Sequence, residues 1–504
     1  FGRTNEFTSD TAYSARDPKA IPAAEIIDSR SATNRRVINL SKALELAVQN
    51  SREYQTQKEQ LYLTALSLTG ARYEFGPQFN ADSTGQLAGS PSGSDVGSVN
   101  SQIGVSQLLK TGGRLAVSLG NDLVRYFTGK PDLVARDSAI NLLSVNLSQP
   151  LLRGFGINDP TVEQLTQAER NVVYAIRSFS LYQQEFAVAT VNDYYRLLAT
   201  KAQVRNQYTD YTNWVENTRY LEARSVDRET RSEVDNARSS ELQSRGAYVS
   251  ALARYFTQLD AFKTRLGLPI SEELYLDEAD SKELVDAGLR SVEIDRQAAF
   301  RICVEKHMDL LNAIDRFEDS KRKVRIAADQ LRPELSLFAS GSLESEAPYD
   351  YLNFDPNQLR YSAGLRLNLP VDRLRERNNY RSTLISFESQ LRSLAQTLDQ
   401  YKARIDEGLR SVEEQRLTYV NNLSRLEVAQ RRVESADLRQ KAGRATIREV
   451  REAQDDLLLA QNNVVFSYRD HLIARLNLLI DIGVLDTKPA RVWLSDPLAT
   501  LLKP

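Results

Sequence analysis

From Leu143 to Ser148 apolar and polar residues alternate, with Leu143, Val145 and Leu147 set against Ser144, Asn146 and Ser148. A period of two marks a strand with one apolar face. Beyond Pro160 the period changes. Leu165, Val172, Ala175, Ile176, Phe179, Tyr182, Phe186 and Ala189 fall at helical spacings on a long stretch without further Gly or Pro. The changeover lies in Leu147–Gly156, LSQPLLRGFG. Pro150 has no N–H for a ladder bond and ends the strand, while Gly154 and Gly156 let the backbone take a new direction.

The rest of the chain supplies the same two patterns in order. Residues 1–36 are polar and aperiodic, an extended N-terminal arm. A helix over 40–73 is expected to start at a Ser41 cap, with Leu44, Ala47, Val48, Leu61, Ala65 and Leu68 at spacings of three and four. Strands follow over 77–150. Phe79, Ala81 and Leu87 oppose Gln78, Asn80 and Asp82, and a Gly/Ser-rich loop spans Gly89–Asn100. Lys110-Thr111-Gly112-Gly113 is a turn signal inside a hairpin at 101–121, and a longer loop is expected from Asp122 to Ser138. Long helices run over 160–266, to the stop at Gly267 and Pro269.

The second half repeats the first. Thr230–Ala237 matches Thr446–Ala453, an offset of 216, and Leu266-Gly267 then falls on Ile482-Gly483. The first helix recurs at an offset of 256, and Pro150 falls on Pro370 at 220. The difference, 36 residues, makes the first-half sheet longer by about one strand pair. The domain reading is therefore an arm (1–36), a first repeat (37–267), a linker (268–295), a second repeat (296–483; helix 296–331, strands 333–370, long helices 376–482) and a tail (484–504). Six strands cannot close a barrel with a wide polar interior alone, so the pattern predicts a homo-oligomer.

Composition narrows the function classes. Charge is high but balanced, 65 basic against 67 acidic residues, a net of -2. No basic excess points to nucleic acid. One cysteine, Cys303, excludes an intramolecular disulfide framework and a Cys-based metal site. His307 and His471 stand alone, without a spaced partner. No Ser-His-Asp, Cys-His, HExxH or GxxxxGK[ST] pattern occurs, so neither catalysis nor a cofactor is expected. No run of apolar residues is long enough for a transmembrane helix, which leaves a barrel of short alternating strands open. No signal-peptide pattern opens the chain at Phe1. That is compatible with a cytoplasmic protein or with a start after a processed terminus.

The duplicated helix–strands–long-helices pattern resembles the TolC family of outer-membrane efflux and secretion channels. The resemblance rests on LSQPLLRGFG, the run Lys441–Gln454 (KAGRATIREVREAQ) and the Gly483 helix end, and it covers about residues 40–486. It implies a mainly α fold with a membrane β-barrel: a trimeric α-helical barrel in the periplasm, continuous with a transmembrane β-barrel in the cell outer membrane. The linker and tail would form an equatorial belt. It implies a passive exit duct working with a periplasmic adaptor and an inner-membrane transporter. In such channels acidic side chains after the glycine turn narrow the periplasmic aperture. Matched by position these are Glu449 and Glu452, with Glu233 as the first-half equivalent of Glu449. Arg448 and Arg451 alternate with them and can pair with them. Gly443, Arg444 and Thr446, with Arg228 opposite, mark the helix tips that would contact the adaptor. Pro150, Gly154, Gly156 and Pro370 mark the strand-to-helix joints.

Three departures from the family's pattern stand out. The extra hairpin predicts six strands per subunit and 18 per trimer rather than four and 12. The first-half tip, Ser225–Arg228, lacks the glycine found at Gly443. No N-terminal cysteine is present to carry a lipid. Tyr73, Phe75, Tyr126, Phe127, Phe155, Tyr349, Tyr351 and Phe354 are candidates for aromatic girdles against outer-membrane lipid. A coiled-coil interaction protein with a small β-domain is the alternative. It gives no reason for strand pairs at the same point of two repeats.

Overall fold

The computed structural model describes residues 36–89, 95–127, 138–224, 231–277, 288–289, 292, 294–345, 353–354, 356–369 and 371–486. The elements are β1 (Arg36–Ile38), α1 (Leu40–Asn50), α2 (Arg52–Tyr73), β2 (Gln78–Ala88), β3 (Val96–Leu108), β4 (Arg114–Tyr126) and β5 (Ser138–Pro150). Then come α3 (Pro160–Arg224), α4 (Arg231–Arg265), β6 (Leu274–Leu276), α5 (Arg296–Lys306), α6 (Met308–Asp329), β7 (Glu334–Glu344), β8 (Arg360–Asn368), α7 (Leu374–Lys441) and α8 (Ile447–Ile482). The residues fall into two compact units, one within 58–179 and 309–399, the other within 1–57, 180–308 and 400–504.

The first of these units holds a six-stranded antiparallel sheet in the order β2-β3-β4-β5-β7-β8. Its register keeps one chemistry per face. Phe79, Val105, Val117 and Val145 lie side by side, followed across the sheet by Gly341 and Tyr361. On the opposite face Asn80, Gly104, Ser118, Ser144, Ser342 and Arg360 form the corresponding row. Cross-strand hydroxyls join on the polar face, Ser118 to Ser144 at 2.7 Å and Ser340 to Ser362 at 2.8 Å. The apolar row stays uncovered, with Phe79 78% and Tyr361 83% exposed. Among the described residues β2 and β8 each pair on one side only.

Two loop expectations are corrected here. β3 begins at Val96, inside the stretch read as a loop to Asn100, because Val99 continues the apolar face there, opposite Leu123, while the flanking glycines and serines are small enough for either face. β4 continues to Tyr126, past the expected loop start at Asp122, because Leu123 maintains the apolar face opposite Val99 and Ala139.

The helices of this unit meet along a polar seam. Arg322 bonds Glu163 at 3.2 Å, and Arg177 bonds Asp315 at 2.5 Å. Between them lies Asp319, 4% exposed, held by Arg170 at 2.5 Å, Arg322 at 2.9 Å and the Tyr174 hydroxyl at 2.6 Å. Burial pushes its carboxyl up, but the hydrogen bonds from Tyr174 and Gln167 and the two guanidinium charges hold it below the usual range.

Among its described residues the other unit is helical apart from a two-stranded parallel sheet, β1 with β6. The cap of α1 is Asn39, whose side chain accepts from the Lys42 N–H at 2.9 Å, rather than Ser41, which lies inside the helix. The helix expected over 40–73 is broken at Ser51, and that expected over 296–331 is broken at His307. Both break residues have extended backbones, and their positions differ by the repeat offset of 256. Glycine helix ends seat on both breaks. A Cβ on Gly267 (φ +70) would lie 2.2 Å from the Asn50 carbonyl oxygen, and one on Gly483 (φ +79) 2.8 Å from His307 backbone atoms. The long helices pack by a seven-residue repeat of small side chains. The buried positions Ala429 and Ala436 of α7, Ala453, Ala460 and Ser467 of α8, and Ala237, Ser244 and Ala251 of α4 recur every seven residues. This is the period of a left-handed coiled coil, and small residues let the backbones come close.

Candidate aperture and strand-to-helix joints

The α7–α8 turn is built by its own sequence. Gly443 has φ +70, its N–H donates to the Gln440 carbonyl, and that of Arg444 to the Arg439 carbonyl at 2.8 Å. These bonds close α7. Thr446 then caps α8 by accepting from the Glu449 N–H at 3.4 Å. Thr446-x-x-Glu449 is a capping-box spacing, a structural job for Glu449 that the sequence signal also encodes. Ile447 is pulled inward. It packs with Trp214 and Leu221 of α3 and with Ala237 of α4, while Val450 and Ala453 pack on Ala436.

This packing leaves Glu449 and Glu452 exposed on α8. Each has an arginine beside it, Arg439 at 3.4 Å from Glu449 and Arg448 at 3.5 Å from Glu452. Glu233 lies half-buried in the first turn of α4. Gly443, Arg444 and Thr446 are exposed, and Arg228 lies outside the described residues. Links also tie α7 and α8 to the first-half helices here: Arg451 of α8 donates to the Gln243 side chain of α4, and Gln440 of α7 donates to Asn217 of α3 at 3.2 Å.

Farther from the turn, Asp210 of α3 lies within reach of the charge of Asp455 of α8. Burial first, and then the charge of Asp455, push the Asp210 carboxyl up to about 6, against the Trp214 side chain that hydrogen-bonds it. Burial likewise raises Asp455, partly offset by Arg451. No motif marked this pair in the sequence, because its partners lie far apart in the chain.

The first joint is more tightly fixed than its glycines suggest. Pro150 remains in register opposite Ser336, and the Leu151 N–H donates to the Leu335 carbonyl at 2.7 Å. Gly154 and Gly156 both have positive φ, 75° and 62°. The Gly154 N–H donates to the Asp329 carboxylate at 2.8 Å, and the Gly156 N–H to the Thr111 carbonyl at 3.0 Å. Thr111 belongs to the hairpin turn, and a Cβ on its neighbour Gly112 would meet the Gly154 carbonyl oxygen at 2.5 Å. Asp159 accepts from the Thr161 N–H at 2.7 Å and so caps α3, with Pro160 in the first turn. The Asp-Pro pair before a long helical run was the signal available for this cap. At the second joint Asp372 does the same work, accepting from the Leu374 N–H at 2.9 Å, and Arg373 donates to the Leu331 carbonyl at 2.8 Å. Pro370 lies outside the described residues.

Among the described residues no helix is long and apolar enough to cross a membrane. Cys303 is fully buried, and burial raises its thiol to about 12. His307 packs on Tyr401, ring centroids 4.5 Å apart. Of the aromatic candidates Tyr73, Phe127 and Phe155 are exposed, Phe75 and Phe354 are half-buried, and Tyr349 and Tyr351 lie outside the described residues.

Solved channels share this fold. The outer membrane protein VceC of Vibrio cholerae superposes with a TM-score of 0.64 at 15% identity, over 88% of this chain and 96% of that one. The Campylobacter jejuni outer membrane channel CmeC gives 0.64 at 16%, over 92% and 88%. The open-state outer membrane channel MtrE of Neisseria gonorrhoeae gives 0.63 at 12%, over 88% of each. No curated protein sequence matches the chain significantly. Residues 303–481 match the family model described as outer membrane efflux protein, so that stretch carries a domain of this kind.

Proposed function

We propose that three copies of this chain form the outer-membrane exit duct of a tripartite efflux pump or a type I secretion system. Substrates would pass through it without chemistry, from a periplasmic adaptor and an inner-membrane transporter to the exterior. The observation that carries this reading is the sheet. It has one continuous apolar face, one polar face and a strand edge at each end. Uncovered apolar residues such as Phe79, Ile103, Tyr361 and Leu365 suit lipid, and the serine- and asparagine-lined face suits water. Edge β2 of one copy pairing with edge β8 of the next removes every free edge and gives 18 strands. Along α7 the exposed Leu417, Val420, Val428 and Leu438 leave an apolar face for a neighbouring copy.

In this assembly Glu449 and Glu452, with Glu233 nearby, would ring the periplasmic aperture, and their arginine partners would moderate its negative charge. Gly443, Arg444, Thr446 and Arg228 would present the tips to the adaptor. The two joints would turn each sheet segment into tunnel wall, with Pro370 taking at the second joint the place that Pro150 holds at the first. The coiled-coil alternative leaves the exposed apolar sheet face unexplained.

The test exploits Cys303, whose buried thiol is unreactive. In an Asp82→Cys/Ser362→Cys chain the two new thiols sit on β2 and β8, at opposite ends of the sheet with four strands between them. A short bis-maleimide applied to solubilised membranes is expected to give covalent dimers and trimers. Monomers alone would overturn the assembly.

A further inference from the structure

A groove of about 700 Å³ opens between α2, α3, α6 and α7, within the unit that carries the sheet. That volume is in the range that holds a drug-sized molecule. Three of the helices each give it a single stripe: Gln167, Asn171 and Ala175 on α3; Arg316, Ser320 and Lys323 on α6; Thr383, Phe387 and Gln390 on α7. The spacings of three and four put each set on one helix face.

The charges in this groove are unbalanced. Its one carboxylate, Asp319, is already engaged by Arg170, Arg322 and Tyr174. Arg316 lies over the Tyr174 ring at 5.6 Å, and among the described residues neither it nor Lys323 has a carboxylate at ion-pair distance. The two cations are seven residues apart, two turns along the same face of α6. The hydroxyl protons of Ser320, Thr383 and Ser386 are donated to carbonyls of their own helices. The Gln167 amide likewise donates to Asn171 and Asp319, which leaves the amides of Asn171 and Gln390 and the two cations among the donors that can face a ligand. Phe387, stacked on Phe317 at 5.4 Å, supplies an apolar surface together with Ala175.

We infer that this groove binds an amphipathic organic anion, its carboxylate or sulfonate between Arg316 and Lys323 and its apolar body on Phe387 and Ala175. A neutral solute of the same shape leaves both exposed cations to water alone, and a cationic one meets repulsion. The recognition is charge-assisted hydrogen bonding at one end and apolar burial at the other. It does not depend on the duct reading, because binding is measured without transport.

The experiment uses the full chain in phosphatidylcholine nanodiscs, titrated calorimetrically with 2-naphthalenesulfonate and, separately, with protonated 2-naphthylmethylamine; empty discs give the baseline. The wild type is expected to bind the sulfonate and not the amine. Arg316→Gln/Lys323→Gln should weaken the sulfonate about tenfold or more, and Phe387→Ala severalfold. Arg316→Lys/Lys323→Arg should retain most of the affinity and shows that loss of charge, not of fold, is responsible. The inference is overturned by any of three results: no sulfonate heat above empty discs, equal affinity in the charge-neutralised chain, or equal binding of the amine.

Discussion

Gly267 and Gly483 carry the junctions of the helical unit on single hydrogen atoms. Each ends a long helix with a left-handed residue, and each sits where backbone from a helix break comes too close for a side chain. Replacing either by alanine puts a Cβ into an unfavourable φ region and against main-chain atoms that cannot swing aside. Left-handed backbone alone costs about 1–2 kcal/mol for an L-residue, and the overlap adds to it. Gly267→Ala and Gly483→Ala are each expected to destabilise by about 2 kcal/mol or more, seen as an earlier loss of helical signal on heating. Gly246, inside α4, is the control, because a Cβ added there would meet nothing within 4 Å. Gly246→Ala should leave stability unchanged or raise it by up to about 1 kcal/mol, because alanine is the better helix former. If all three behave alike, the close approach is not what requires glycine at the two ends.

At the scale of elements, the contact between α3 and α8 near the tip depends on a titrating group. The raised pKa of Asp210, about 6 against 3.8, means that the folded state holds its proton more tightly than the unfolded chain. Its contribution to stability is therefore fully present below about pH 3.8 and is lost as pH rises through about 6. At neutral pH Asp210 carries its charge at a cost, facing the charge of Asp455, while the Trp214 side chain offsets only part of it. Asp210→Asn should raise the thermal midpoint at pH 8 and change it little at pH 4. The gain at pH 8 should be about 1 kcal/mol, below the full linkage value because the site is partly open to water. An equal gain at both values would place the effect in packing rather than charge. What was legible in the sequence at this scale follows from local rules. Alternation located the strands, glycine with proline located the helix ends, and the repeat located the second copy. The breaks at Ser51 and His307 were not legible, because neither residue is a breaker by type and the bend is fixed by a glycine far along the chain. The pairing of Glu449 with Arg439 was missed for a related reason: it crosses the α7–α8 turn, and only the turn geometry brings the two together.

For the whole molecule the hairpin β3–β4 sets the proposed barrel's width. It is a full member of the sheet, with β3 paired along β2 and β4 along β5. Its register also makes it removable in principle. Phe79 stands beside Val105, Val105 beside Val117 and Val117 beside Val145, so deleting the hairpin brings Phe79 opposite Val145 with no slip and no exchange of faces. β2 and β5 run antiparallel to one another, and the residues left between them span the connection. A chain lacking residues 96–126 should then assemble with four strands per copy and 12 per trimer. Barrel diameter grows roughly in proportion to strand number, so 12 strands in place of 18 reduce the cross-section to about 0.4 of its value. The measurement is the largest polyethylene glycol that enters from the extracellular side in planar bilayers, which reports the barrel independently of the periplasmic aperture. A clear fall in that size with trimers intact supports six strands per copy in the wall. An unchanged size means that the hairpin does not line the barrel. The turn at Thr111 and Gly112 adds a further expectation, since it holds Gly154 and Gly156 at the joint. The shortened chain should lose order at residues 151–158, which faster amide hydrogen exchange there would record, and the extra strands would then serve to hold the first joint as well as to widen the wall.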